Sequence, residues 1–121
     1  MFTVKTGTID DFFNNAKKIM EALDKKEPIE PSHTLVFVDP LEMLRFLSEK
    51  KIKLINAIRD NPDSITNIAK ITKRNRASVY RDINEMERFG LVKTHEEVNA
   101  GHGRHKIVEL SAPGFKLEAY I

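Results

Sequence analysis

At 121 residues the chain can bury one modest core with an appendage, and its net charge of +2 is unremarkable in total but uneven along the sequence. Residues 64–106 hold nine Lys/Arg against five Asp/Glu, whereas residues 1–47 hold six against eight, so the basic excess is local, as a polyanion-binding patch requires. Cysteine is absent, which excludes disulfides and thiolate metal sites, and no apolar run approaches the roughly 20 residues of a membrane-spanning helix.

Met1 to Thr8 has no apolar stretch of the secretory kind, so no export is expected and a cytosolic location follows, in keeping with the missing cysteines. From Asp10 to Leu23, Phe12, Phe13, Ala16, Ile19, Met20 and Leu23 recur at helical intervals; this predicts an amphipathic helix capped by Thr8 or Asp10. The charged, proline-containing segment 23–32 reads as a linker. His33 to Val38 is β-branched and apolar, the composition of a short strand. Asp39-Pro40 then starts a brief helix expected to bury Leu41, Leu44, Phe46 and Leu47.

Ser48 can cap a helix running to Asn61, with Ile52, Leu54, Ile55, Ala57 and Ile58 turned inward. Asn61-Pro62-Asp63 ends it, and Ser64 caps the next, in which Ile65, Ile68, Ala69 and Ile71 are apolar. Thr72 to Arg74 is a turn. Asn75 can cap a third helix that buries Val79, Ile83, Met86 and Phe89, and Gly90 stands where a left-handed C-cap is wanted. Two strands, Leu91–Val98 and Arg104–Leu110, flank a hairpin tip at residues 99–103, whose glycines accept positive φ. Residues 115–121 form a short tail able to add a strand.

Helix, short turn, second helix and basic hairpin, in that order, suit a surface that docks on DNA. Ala69 is small where the two helices must approach, and Val79, Ile83 and Met86 leave Arg76, Ala77, Tyr80, Arg81, Asn84 and Arg88 largely off the buried stripe. Arg76 and Arg81 can contact guanine through two hydrogen bonds, and Ser78 offers a hydroxyl to a phosphate or a base edge. The free N–H groups at the helix start favour phosphate. Tyr80 can pack on the hairpin or meet DNA.

Ala77-Ser78-Val79-Tyr80-Arg81-Asp82-Ile83 followed by Met86-Glu87-Arg88-Phe89-Gly90-Leu91-Val92 resembles the recognition helix of bacterial and archaeal winged-helix repressors of the MarR and ArsR types. The ending Val108-Glu109-Leu110-Ser111-Ala112-Pro113-Gly114 is similar to the close of many such wings. The turn departs from that pattern, with Lys73 where glycine is usual and Arg74 where an apolar residue is usual; a group of small predicted archaeal and bacterial regulators is the nearer match. The resemblance implies an α+β fold: a three-helix core with a β-hairpin wing at residues 32–114, preceded by the N-terminal helix and linker (1–31) and followed by the tail (115–121). It further implies double-stranded DNA as ligand, with Asn75, Arg76, Ser78 and Arg81 in the major groove. Lys73 and Arg74 would lie on backbone phosphates, and Arg104 and Lys106, with His102, at the minor groove. It also implies a homodimer on two half-sites, acting as a transcriptional regulator by repression.

Two other readings stay open at this level: an antitoxin that binds a toxin partner and regulates itself, and an RNA-binding winged helix. The N-terminal helix can fold back on the core or pair with a second copy. His95, His102 and His105 lie on strand or loop, where their spacing does not converge on a metal. No nucleophile–base pair and no phosphate-cradling loop is found, and Asp10-Asp11 is helix-start charge, so neither catalysis nor a cofactor is expected.

Overall fold

A computed structural model describes residues 1–28, 33–99 and 103–121. The described chain divides into two compact units, Met1–Phe46 with Gly114–Ile121, and Leu47–Pro113. The boundary expected at residue 32 is therefore displaced to Leu47, and the tail belongs with the N-terminal residues. The reason is strand pairing, which ties segments far apart in the sequence.

In the first unit β1 (Phe2–Thr6) lies between β2 (His33–Phe37) and β5 (Phe115–Glu118), parallel to both, with Val4 opposite Leu35 and Leu117. The helix α1 (Ile9–Asp24) makes the crossover between β1 and β2 that parallel pairing demands. Gly7 sits at its start, where an added Cβ would meet Val36 Cγ1 at 3.3 Å. Phe2 and Val4 are the buried face of β1, and Phe2 stands edge-on to Phe115 at 5.1 Å between ring centres. The short helix α2 (Pro40–Phe46) is started by Asp39, whose carboxylate accepts from the Leu41 N–H at 2.9 Å. It buries Met43 and Phe46, with Phe46 against Phe37 at 5.5 Å. Leu41 and Leu44, expected inside, are exposed, because one short helix covers a single stripe and Met43 with Phe46 occupies it.

The second unit is a winged helix-turn-helix: α3 (Glu49–Asp60), α4 (Ile65–Thr72), α5 (Arg76–Arg88), and the antiparallel hairpin β3 (Val92–Asn99) and β4 (Gly103–Leu110). Ser48, Ser64 and Asn75 cap the three helices as their side-chain chemistry predicts. Leu54, Ile58, Ile68, Val79, Ile83, Met86, Leu91 and Val108 form the fully buried centre. Val108 N–H also donates to the Asp63 carbonyl at 2.9 Å, which pins the hairpin to the lead-in of α4.

Two apolar residues expected in this core are outside it: Ile52 and Phe89 are exposed. On α3 the inward place one residue before Ile52 is taken by Lys51, only 5% exposed, whose Nζ reaches Glu85 Oε1 of α5 at 2.9 Å.

Candidate nucleic-acid interface

The turn between α4 and α5 closes on Lys73, which takes the left-handed conformation (φ 56°, ψ 42°) usually given to glycine. Its N–H donates to Lys70 O and that of Arg74 to Ala69 O, the paired bonds that satisfy the last carbonyls of a helix. A real glycine, Gly90 (φ 83°), ends α5 in the same way, with Gly90 N–H on Glu87 O and Leu91 N–H on Met86 O. The two ends of the recognition helix are thus fixed by backbone, and its orientation by Ala69, Val79, Ile83 and Met86 in the core.

Asn75 starts the helix with its side-chain oxygen, accepting from Ala77 N–H at 2.7 Å and Ser78 N–H at 3.4 Å. That oxygen caps the helix, so only the amide nitrogen of Asn75 is left for a base. Arg76 is exposed and its Nε donates to Thr66 Oγ1 at 3.1 Å, which ties the guanidinium to the first turn of α4. Arg81 and Lys73 are exposed, Ser78 is half-buried, and Tyr80 is 48% exposed.

Arg74, expected on a backbone phosphate, is folded inward: its Nη2 lies 2.7 Å from Asp82 Oδ2, with side-chain exposures of 18% and 16%. The position usually holds an apolar residue because it faces the packed side of the turn, and the guanidinium there is neutralised by α5 rather than offered to solvent.

On the wing, Lys106 and Arg104 point to solvent from β4. Arg104 Nη1 is 3.6 Å from Glu96 Oε2, a surface pair exposed on both sides and so weak enough to be exchanged for a phosphate. His102 lies outside the described residues. Sequence reasoning passed over Thr66 and weighed His105 only as a metal ligand. With Ser64, Arg76, Tyr80 and Lys106 they line a concavity of about 280 Å³ between the start of α4, the first turns of α5 and the wing. The signal for His105 was its strand position two before buried Ile107, on the hairpin face turned to the helices. Further along α5, Tyr80, Asn84 and Arg88 follow one another at four-residue intervals and line a second shallow concavity with Arg81.

Chemically, this arrangement offers hydrogen-bond donors and basic side chains along one helix and one strand; on the wing His95 Nε2 lies 3.0 Å from Glu97 Oε1. Among the described residues no three metal-ligating side chains come together, and no helix is long and apolar enough to cross a membrane.

Several solved structures resemble the chain. The homodimeric winged helix-turn-helix DNA-binding domain Mb0332 of Mycobacterium bovis, a possible ArsR-family transcriptional regulator, has TM-score 0.47 and 14% identity over 56% of this chain and 59% of its own. A possible transcriptional regulator from Methanosarcina mazei has TM-score 0.46 and 14% identity, over 55% and 57%. A mutant of Lactococcus lactis ZitR has TM-score 0.48 and 15% identity, over 84% and 63%. The chain thus spans about three-fifths of the length of each. No curated protein matches the sequence. The HVO_A0114 family matches residues 46–113, which is the winged helix-turn-helix unit and more than half of the sequence, and the chain belongs to that family.

Proposed function

We propose that this chain binds double-stranded DNA sequence-specifically as a homodimer and regulates transcription, by occupying an operator and repressing. The observation that carries the reading is the concavity in which Arg76 and Tyr80 of α5 meet His105 and Lys106 of the wing. It joins the two elements that this fold applies to adjacent grooves into one basic surface. Arg76 and Arg81 read base edges, Lys73, Arg104 and Lys106 hold phosphates, and Ser78 and the amide of Asn75 serve the helix start. No observation favours the antitoxin or RNA-binding alternatives.

A gel-shift on the duplex upstream of its own coding region, titrated with salt, tests this. Affinity should fall linearly on a log–log plot, and Lys106→Ala should lower the slope by about 1 while weakening all sequences alike. Arg76→Ala and Arg81→Ala should instead relax specificity by roughly 1–3 kcal/mol at one base each. Absence of duplex binding at low salt, or equal binding to duplex RNA, refutes the reading.

A further inference from the structure

The helix α1 buries none of its sixteen residues. Phe12, Phe13 and Met20 are 53%, 63% and 65% exposed, and Ile9, Ile19 and Leu23 stand on the same face. A helix of this length is marginal on propensity alone and ordinarily needs a packed face. Its ends are secured locally, by the reciprocal bonds between Thr8 and Asp11 at the start and by Lys26 in the left-handed conformation after the end. Those bonds stabilise the helix without covering its apolar side.

The apolar positions are symmetric about Ala16. Ile9 and Leu23 lie seven residues to either side, Phe12 and Met20 four, Phe13 and Ile19 three. Turning the helix end for end about Ala16 therefore lays the stripe on itself, with the smallest side chain at the centre, where two helices come nearest. Such self-matching is the condition for a two-fold interface between identical copies. The same operation sets Asp10 and Asp11 opposite Ala22 and Glu21 of the other copy, with Lys25 three to four residues further on, so the apolar stripe and not the charge at the ends carries the match. The six large side chains expose roughly 600 Å² per copy, so complete cover of both stripes would remove roughly 1,200 Å², about the size at which specific interfaces begin. Residues 9–26 carry four acidic and four basic side chains, without the net positive charge that an anionic membrane surface selects.

We infer that α1 is the surface by which two copies of this chain join, packing antiparallel on its counterpart across a two-fold axis at Ala16. This rests on the dimer part of the proposed function and supplies the contact that part leaves unspecified.

The absence of cysteine makes the test clean, since any introduced thiol is the only one. On mild oxidation of the full chain, Ala16→Cys should cross-link to a covalent dimer. Ile9→Cys and Leu23→Cys should each stay single but cross-link when mixed. Phe13→Glu with Ile19→Glu should weaken self-association in sedimentation at least about tenfold with the circular dichroism spectrum unchanged. Ile9→Cys joining itself in preference to Leu23→Cys, a dimer indifferent to the glutamates, or a monomer that never cross-links overturns the inference. Gel-shifts on the same variants keep the outcomes separate: loss of cross-linking with DNA retardation retained defeats only the α1 interface. Cross-linking without retardation defeats only the DNA reading.

Discussion

Arg74 and Asp82 face each other across the helix-turn-helix, Nη2 to Oδ2 at 2.7 Å, and join the turn to the second turn of the recognition helix. Arg74 Nη1 is buried with no hydrogen-bond partner among the described residues. The pair is therefore an incompletely satisfied polar contact at a position that an apolar side chain could fill. Asp82→Ala should cost about 2–3 kcal/mol in urea unfolding, because it strands the guanidinium. Arg74→Leu with Asp82→Ala should recover most of that loss, and Arg74→Leu alone should leave duplex affinity within a few-fold of the parent. A large affinity loss in a folded Arg74→Leu protein would return Arg74 to the phosphates.

Lys73 carries two roles that one substitution separates. Glycine accepts φ 56° without the Cβ penalty, so Lys73→Gly should stabilise the fold by about 0.5–1 kcal/mol, after allowing for the freer unfolded chain. The same variant loses a cation at the turn and should bind duplex less tightly with a smaller salt slope. A rise in Tm accompanied by weaker DNA binding is the expected pair of results.

Lys51 and Glu85 link α3 to α5. Glu85→Ala takes one carboxylate away from the buried ammonium and should cost up to about 2 kcal/mol, discounted because Glu85 is partly open to solvent. Lys51→Met fills the same space with an apolar chain and should cost less. Equal losses in thermal unfolding would show that the charge pair itself, rather than the burial of the ammonium, sets the energy.

Asp11 gives a pH handle on α1. The Thr8 N–H and then the Thr8 hydroxyl hold its carboxyl below the usual carboxylate range. A depressed folded-state value means that the capping contribution is complete above the unfolded value and is lost as pH falls through the folded one. The stability difference between the parent chain and Asp11→Asn should therefore be present at neutral pH and vanish towards strong acid, read from parallel thermal melts.

Local chemistry was enough to find the second unit. Ser48, Ser64, Asn75 and Gly90 mark its helix ends by their side chains or their lack of one, and apolar spacing marks its core. The parallel sheet was invisible because its pairings are not local: Phe2-Thr3-Val4-Lys5-Thr6 has a strand's alternation, but nothing in it names His33 or Phe115 as neighbours. The inward turn of Arg74 was missed for a related reason. A basic residue at a DNA-facing turn reads as a phosphate contact until the carboxylate eight residues later is seen beside it. On α1 the stripe was legible, whereas its exposure could come only from the structure.

The pairing of β5 with β1 also makes the sheet unit discontinuous in sequence. The winged helix-turn-helix unit, Leu47–Pro113, is one continuous stretch of chain, whereas the sheet unit draws on Met1–Phe46 and on Gly114–Ile121. Removing residues 115–121 should therefore strip one edge strand from the sheet and leave every residue of the winged helix-turn-helix unit in place.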